Sequence, residues 1–325
     1  MKNSRIFRYA AIAVVTSLTL SLTSCKKEGC TDDIATNFDS NAKKDNGSCI
    51  YPVVTNPTAP TTPIDTTDTS GTNNPNVGKA NTDGLKLIGK ATSAETKAKL
   101  ELYAREDLYP GMNLLYIAAY DSETEALLTK GDISFMPMMK MNSGMEHSAP
   151  VLNKVIGAAN SNGLFSGQVF FVMPSDAGKW TLKTTFKNGT GSSEGEVSFD
   201  VTVTQNSNRM MVSFMDTTTT ERKSIFLSYA LSENPKVGSN ELKIVAFTRK
   251  NMMEWPAADD LIIEFEPTMP SMGHGSPNNV NPTFTSEGTY IGKVNYTMTG
   301  KWQLDLTIKR GTQLLNDELY FDYTL

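Results

Sequence analysis

Phe165-Ser166-Gly167-Gln168-Val169-Phe170-Phe171-Val172-Met173 is matched later in the chain by Tyr290-Ile291-Gly292-Lys293-Val294-Asn295-Tyr296-Thr297-Met298. Phe165, Gly167, Val169, Phe171 and Met173 fall in register with Tyr290, Gly292, Val294, Tyr296 and Met298. A turn follows each copy, then Gly178-Lys179-Trp180 or Gly300-Lys301-Trp302. Next come Leu182, Thr184 and Phe186 in one copy and Leu304, Leu306 and Ile308 in the other. Alternation with period two marks half-buried strands, and long helical periodicity is missing. Upstream, Gly111 and the run from Leu114 to Tyr120 match Gly238 and the run from Leu242 to Phe247. The expected fold is all-β: two tandem immunoglobulin-like β-sandwich domains, at residues 85–205 and 206–325, after a disordered linker. Two copies are too few for a solenoid, so each is expected to have its own core, with Trp180 and Trp302 as matching core residues.

The same repeat places the chain's two histidines. One lies in Met136-Pro137-Met138-Met139-Lys140-Met141-Asn142-Ser143-Gly144-Met145-Glu146-His147-Ser148-Ala149-Pro150, the other in Met269-Pro270-Ser271-Met272-Gly273-His274-Gly275-Ser276-Pro277. Each copy has Met-Pro-x-Met, then Met-x-His, then Pro three residues on. In the second copy Met272 serves both patterns; in the first, Met139 and Met145 divide them around an insertion. Both stretches follow a strand and are rich in Pro, Gly and Ser, so loops are expected. Thioether sulfur is a soft neutral ligand suited to Cu(I), and imidazole suits Cu(I) and Cu(II) alike. Met needs no deprotonation, so such a site depends on pH only through its histidine. The candidate ligands are Met269, Met272 and His274, and Met136, Met139, Met145 and His147. The competing reading is structural: the methionines plug the end of a sandwich and each histidine bonds a backbone carbonyl.

Met-Pro-x-Met-x-His with a following Pro, then Gly288-Thr289-Tyr290-Ile291-Gly292, then Gly-x-Trp and a final strand, resembles the YtkA-like family, which is loosely related to FixH-like proteins. The resemblance is close from about Leu242 to Tyr323. The first copy departs from it through the insertion and through Leu164, which follows Gly163 where Thr289 follows Gly288. It implies small exported β-sandwich domains with no well-established activity, and a likeness to copper-handling sandwiches implies copper as the cofactor.

The N-terminal part sets the compartment. Lys2, Arg5 and Arg8 precede an apolar run from Tyr9 to Leu20, and Leu22-Thr23-Ser24-Cys25 follows. This looks like a bacterial lipoprotein signal, residues 1–24, with a lipid on Cys25. The expected location is the cell envelope, lipid-anchored at the outer membrane on its periplasmic face or at the cell surface. Cys30 and Cys49 remain of the three cysteines, and an oxidising compartment favours their pairing. Residues 25–51 resemble a short GCTD…DDGSC segment of Bacteroidetes-type surface proteins, with Phe38 and Asn46 departing from its Tyr and Asp. Asp32, Asn37, Asp39 and Asp45 are hard oxygen ligands of the kind calcium takes; turn chemistry accounts for the same residues. Residues 52–84, rich in Pro, Thr, Asn and Asp, are expected to be an extended spacer.

Loss of residues 1–24 removes three cations and no anion, so the formal charge moves from −5 to −8. An acidic chain without a basic cluster argues against nucleic acid, leaving the membrane, through the lipid, and an exported copper protein as expected partners. Gly191-Ser192-Ser193-Glu194-Gly195 matches the nucleophile-elbow pattern but falls between two strands, and Gly84 to Lys90 fits a phosphate loop except that Ala91 stands where Ser or Thr belongs. No acid–base pair can be nominated, so the chain is read as a non-enzymatic binding protein. The alternative is a non-metal surface interaction or structural module, in which the methionines make adaptable contacts.

Overall fold

The structure is a computed structural model and describes residues 27–29, 41–45, 78–152, 155–188, 194–231 and 235–325. The signal segment, Cys25, Cys30, Cys49, the calcium candidates Asp32, Asn37 and Asp39, most of the spacer and residues 191–193 lie outside these residues. In the small N-terminal unit, Glu28–Gly29 pairs in parallel with Lys44–Asp45, and the Lys43 N–H donates to the Lys27 carbonyl at 2.8 Å.

The rest of the chain is built from antiparallel strands packed as sandwiches. One sheet of the first sandwich runs Lys86–Ser93, Ala98–Ala104, Gly111–Asp121, Phe165–Phe171, Val151–Leu152. The facing sheet runs Ile156–Ala158, Lys130–Met141, Gly178–Lys187, Glu194–Val201. The second sandwich repeats the plan. One sheet is ordered Met211–Asp216, Lys223–Leu231, Gly238–Arg249, Thr289–Tyr296, Val280–Ser286. The other sets His274–Gly275, Ile262–Met269 and Lys301–Arg310 side by side, with Gln313–Asn316 and Tyr320–Thr324 both pairing to the last.

The alternation explains the pairing. In Gly178–Lys187 every second residue, from Trp180 through Leu182 and Thr184 to Phe186, is buried, and in Lys301–Arg310 so are Trp302, Leu304, Leu306 and Ile308. Each large apolar side chain so removed from water contributes roughly 1.5–3 kcal/mol, and a one-residue slip would turn the whole set outward. Both tryptophans are fully buried, and each donates its indole N–H at 3.0 Å to a methionine carbonyl, Met173 for Trp180 and Met298 for Trp302. A second device recurs at the entry to the long central strands. Asn113 accepts from the Tyr109 N–H and donates to the Tyr109 and Gly111 carbonyls; Asn240 makes the same three bonds with Lys236 and Gly238.

Each sandwich has its own apolar core, the second built around Tyr229, Ile244, Tyr290, Trp302 and Leu304, and the two sandwiches touch: Val245 and Phe247, on the outer face of the second, join the cluster of the first, where Phe247 meets Phe170 edge-on. The long strand Gly238–Arg249 has apolar side chains on both faces, a pattern that period-two reading cannot assign to one core. Buried Ser228 extends the junction by accepting the Met112 N–H at 2.9 Å. One sequence expectation changes: the spacer ends early. The Asn81 N–H donates to Asn162 O at 2.8 Å, the Ala80 N–H reaches the Tyr120 hydroxyl, and Ala80 packs beside Leu85 against the first sandwich. A small apolar group and free backbone donors suffice to dock a segment whose composition reads as solvated.

Candidate metal centre

The methionine–histidine stretches are strands and tight turns, not loops. Lys130–Met141 continues through Pro137 and pairs along its whole inner edge with Gly178–Lys187. Proline lacks the N–H a central strand needs, but here its outer side falls between two short partners. Ile156–Ala158 covers Lys130 to Ile133 and Glu146–Ser148 covers Met138 to Lys140, so Pro137 lies in the gap. Pro267 is similarly placed in Ile262–Met269: its carbonyl accepts the Ser276 N–H at the outer edge.

The register decides which side chains meet. Met139 lies directly opposite His147, and Met269 directly opposite His274. The insertion in the first copy lengthens the hairpin tip and leaves this cross-strand pair intact. Residues in register point to one face, so Met139 and His147 share the inner face. The Met141 N–H donates to the Met145 carbonyl at 2.8 Å, and alternation along Lys130–Met141 puts Met141 on the face of Met139. The first hairpin therefore presents two thioethers and one imidazole on one face, with Met145 at its tip. Met139 is fully buried, Met141 is half-buried against the core, and Met145 is 49% exposed. The motif reading misses Met141; its parity with Met139 is the signal that finds it. Met136 must be removed from the candidate set, since strand alternation sends it to the opposite, solvent-facing side. In the second copy Met269 is buried, His274 half-buried, and Met272 stands exposed at the turn, where the Met272 and Gly273 N–H groups both donate to the Met269 carbonyl.

A tryptophan adjoins each pair. Trp180, opposite Met139 on the neighbouring strand, meets His147 edge-on at 5.3 Å; Trp302 meets His274 at 6.0 Å. The glycine two residues before each tryptophan gives the methionine strand room. A Cβ on Gly178 would lie 2.3 Å from Lys140 O, and one on Gly300, where φ is +133°, would lie 2.6 Å from Met269 Cε. Gly-Lys-Trp is thus one local device that seats both the tryptophan and the methionine.

His147 carries the chemical information. Its Nδ1 is 2.8 Å from the Ser148 carbonyl, which can only accept, so Nδ1 bears a proton; in the neutral ring the lone pair then lies on Nε2. Nε2 is buried and has no hydrogen-bond partner among the described residues. A carbonyl-bonded imidazole whose other nitrogen lacks a hydrogen-bond partner meets one requirement of metal ligation. Among the described residues no three His, Cys, Asp or Glu side chains gather as metal ligands would.

The neighbouring sandwich closes over this hairpin. The Ser148 N–H donates to Met252 O at 2.8 Å, the Ser148 hydroxyl donates to Met253 O at 2.8 Å, and the Trp255 indole N–H donates to the same hydroxyl at 3.2 Å. His147 is 4% exposed beside these contacts.

Residues 224–307 match the family described as YtkA-like. The YtkA-like match spans Met269, Met272, His274 and Trp302. No curated protein matches the chain. A solved structure of invasin, a bacterial integrin-binding protein, is similar at 12% identity over 74% of this chain and 38% of that one, with a TM-score of 0.17. The chain thus spans well under half of that protein's length, and the likeness is too distant to bear on function.

Proposed function

We propose that the protein is a non-enzymatic, exported and lipid-anchored binder of Cu(I), which stores the ion or passes it to an exported copper protein. His147 Nε2, buried and unpartnered among the described residues, is the observation that carries this reading. Leaving such an acceptor unsatisfied costs about 1–3 kcal/mol, a cost that a bound cation reverses. His147 with Met139, Met141 and Met145 would hold the ion in the first copy, and His274 with Met269 and Met272 in the second. A bound Cu(I) supplies a soft monovalent acid that thioethers bind without losing a proton. The protein's own contribution is to fix the imidazole tautomer through Ser148 and to keep the site against an apolar wall.

A second reading, a contact module without metal, draws on the exposure of Met136, Met145 and Met272, at 47%, 49% and 57%. Flexible thioethers at a surface suit adaptable protein contacts. Titrating the protein with Cu(I) against a competing chelator separates the two. One or two tightly held ions, weakened in the H147A/H274A variant, support the copper reading. Affinity no higher than that of a methionine-rich peptide of the same composition overturns it in favour of the contact module.

A further inference from the structure

A cleft of about 270 Å³ opens where the two sandwiches meet, away from both hairpins. Its floor is apolar, formed by Leu108, Tyr109, Met112 and Tyr323. Lys243 enters from the second sandwich, and its ammonium donates to the Gln168 side-chain carbonyl of the first at 3.0 Å. Among the described residues no carboxylate pairs with Lys243, and Gln168 is its one hydrogen-bond partner there. Glu106 and Arg105, both exposed, also line the cleft; Arg105 is engaged by a partner of its own, and no cation among the described residues pairs with Glu106. Asn113 lines the same space, but its amide is consumed by the clamp on Tyr109 and Gly111.

The two charges do not neutralise each other. Burial lowers the titration of Lys243, opposed only by Glu241. The Glu106 carboxyl is held somewhat above its usual range by partial burial and Asp107, yet it is largely open to water. The ionised form of Lys243 is the one kept at a cost that an opposite charge in the cleft would offset. Small apolar pockets with a few convergent polar groups are where small molecules bind, and this cleft is just below the usual range of volumes for drug-sized ligands.

We propose that this cleft binds a small zwitterion with an apolar body, an apolar amino acid or a dipeptide, with its carboxylate on Lys243 and its ammonium toward Glu106. The volume suits one or two residues inside the cleft, and the apolar floor selects against polar side chains. The site is independent of the copper reading, since it shares no residue with either hairpin.

The test is calorimetric titration of the full protein with L-phenylalanine and L-leucyl-L-leucine, beside N-acetyl-phenylalanine and phenylethylamine, which each lack one charge. At least one zwitterion should bind with Kd below about 1 mM, and both single-charge analogues should bind about tenfold more weakly. K243M and E106Q should each weaken the zwitterion about tenfold while the melting temperature stays near that of the parent. No heat from either zwitterion, equal binding of N-acetyl-phenylalanine, or an unchanged affinity in K243M would each overturn the proposal. Should K243M fail to fold, K243Q, which keeps a donor to the cleft but no charge, supplies the same comparison.

Discussion

Met139 and His147 face each other across one hairpin as Met269 and His274 do across the other, and in both places a buried tryptophan stands edge-on to the imidazole. The arrangement survives a difference in turn length between the copies. A pair held by register and not by sequence spacing is a product of strand pairing, and it can be tested one side chain at a time.

The parity of the strand separates methionines that share a motif. Met139→Leu and Met141→Leu should each weaken Cu(I) binding about tenfold or more, while Met136→Leu leaves it unchanged. Leucine for methionine is nearly volume-conserving, so stability in urea should shift by under about 1.5 kcal/mol in all three. A loss of affinity in the Met136 variant would show that the inner face is not the binding face.

The glycine of the second Gly-Lys-Trp is a steric requirement. Gly300→Ala forces a Cβ to within 2.6 Å of Met269 Cε at a backbone φ of +133°. The variant should lose about 1–3 kcal/mol of stability in urea denaturation. Gly273→Ala is the comparison: it also has positive φ, at +65°, but meets no atom within 4 Å, so its cost should be about 1 kcal/mol.

Asp216 provides the pH dependence. Its side chain is 3% exposed, and burial pushes its titration up, but bonds from Arg310 and Thr218 outweigh burial and leave it below the usual carboxylate range. Its folded-state value thus lies below its unfolded one. The stability it contributes is present above about pH 4 and is lost as pH falls through the folded value. Asp216→Asn should flatten the acid limb of a stability–pH curve. Arg310→Met strands a buried carboxylate and should cost about 3 kcal/mol at pH 7. The same arginine change made in the Asp216→Asn background should cost less, because no charge is then left unpaired.

Tyr229 and Tyr296 share a buried hydroxyl–hydroxyl bond of 2.8 Å. Tyr229→Phe removes one partner and leaves the other unsatisfied, so about 1–2 kcal/mol should be lost; changing both to Phe should cost less than the sum of the single changes. An additive double variant would show that the two hydroxyls have other partners.

Strand positions were legible because Trp180, Leu182 and Phe186, like Trp302, Leu304 and Leu306, mark a one-sided burial that period two reports directly. The site was legible in residue type and only partly in geometry. Prolines at 137 and 267 read as loop signals, because the sequence does not tell which edge of a strand lacks a partner. A spacing motif favours Met136 over Met141 since it ignores the face on which each side chain emerges. The role of Ser148 depends on a contact with residues 252–255, distant in the chain, and no local pattern encodes it.

Ser148 follows His147 directly and is the point at which the neighbouring sandwich holds on. Its carbonyl sets the imidazole proton while its amide and hydroxyl grip Met252 and Met253. Under the proposed copper reading one residue would belong to two equilibria, and thermodynamic linkage would make their coupling reciprocal. By whatever factor loosening the grip alters the affinity of the first hairpin for an ion, an ion there alters the grip by the same factor. A serine shared in this way turns two similar sandwiches into an arrangement in which one can report on the state of the other.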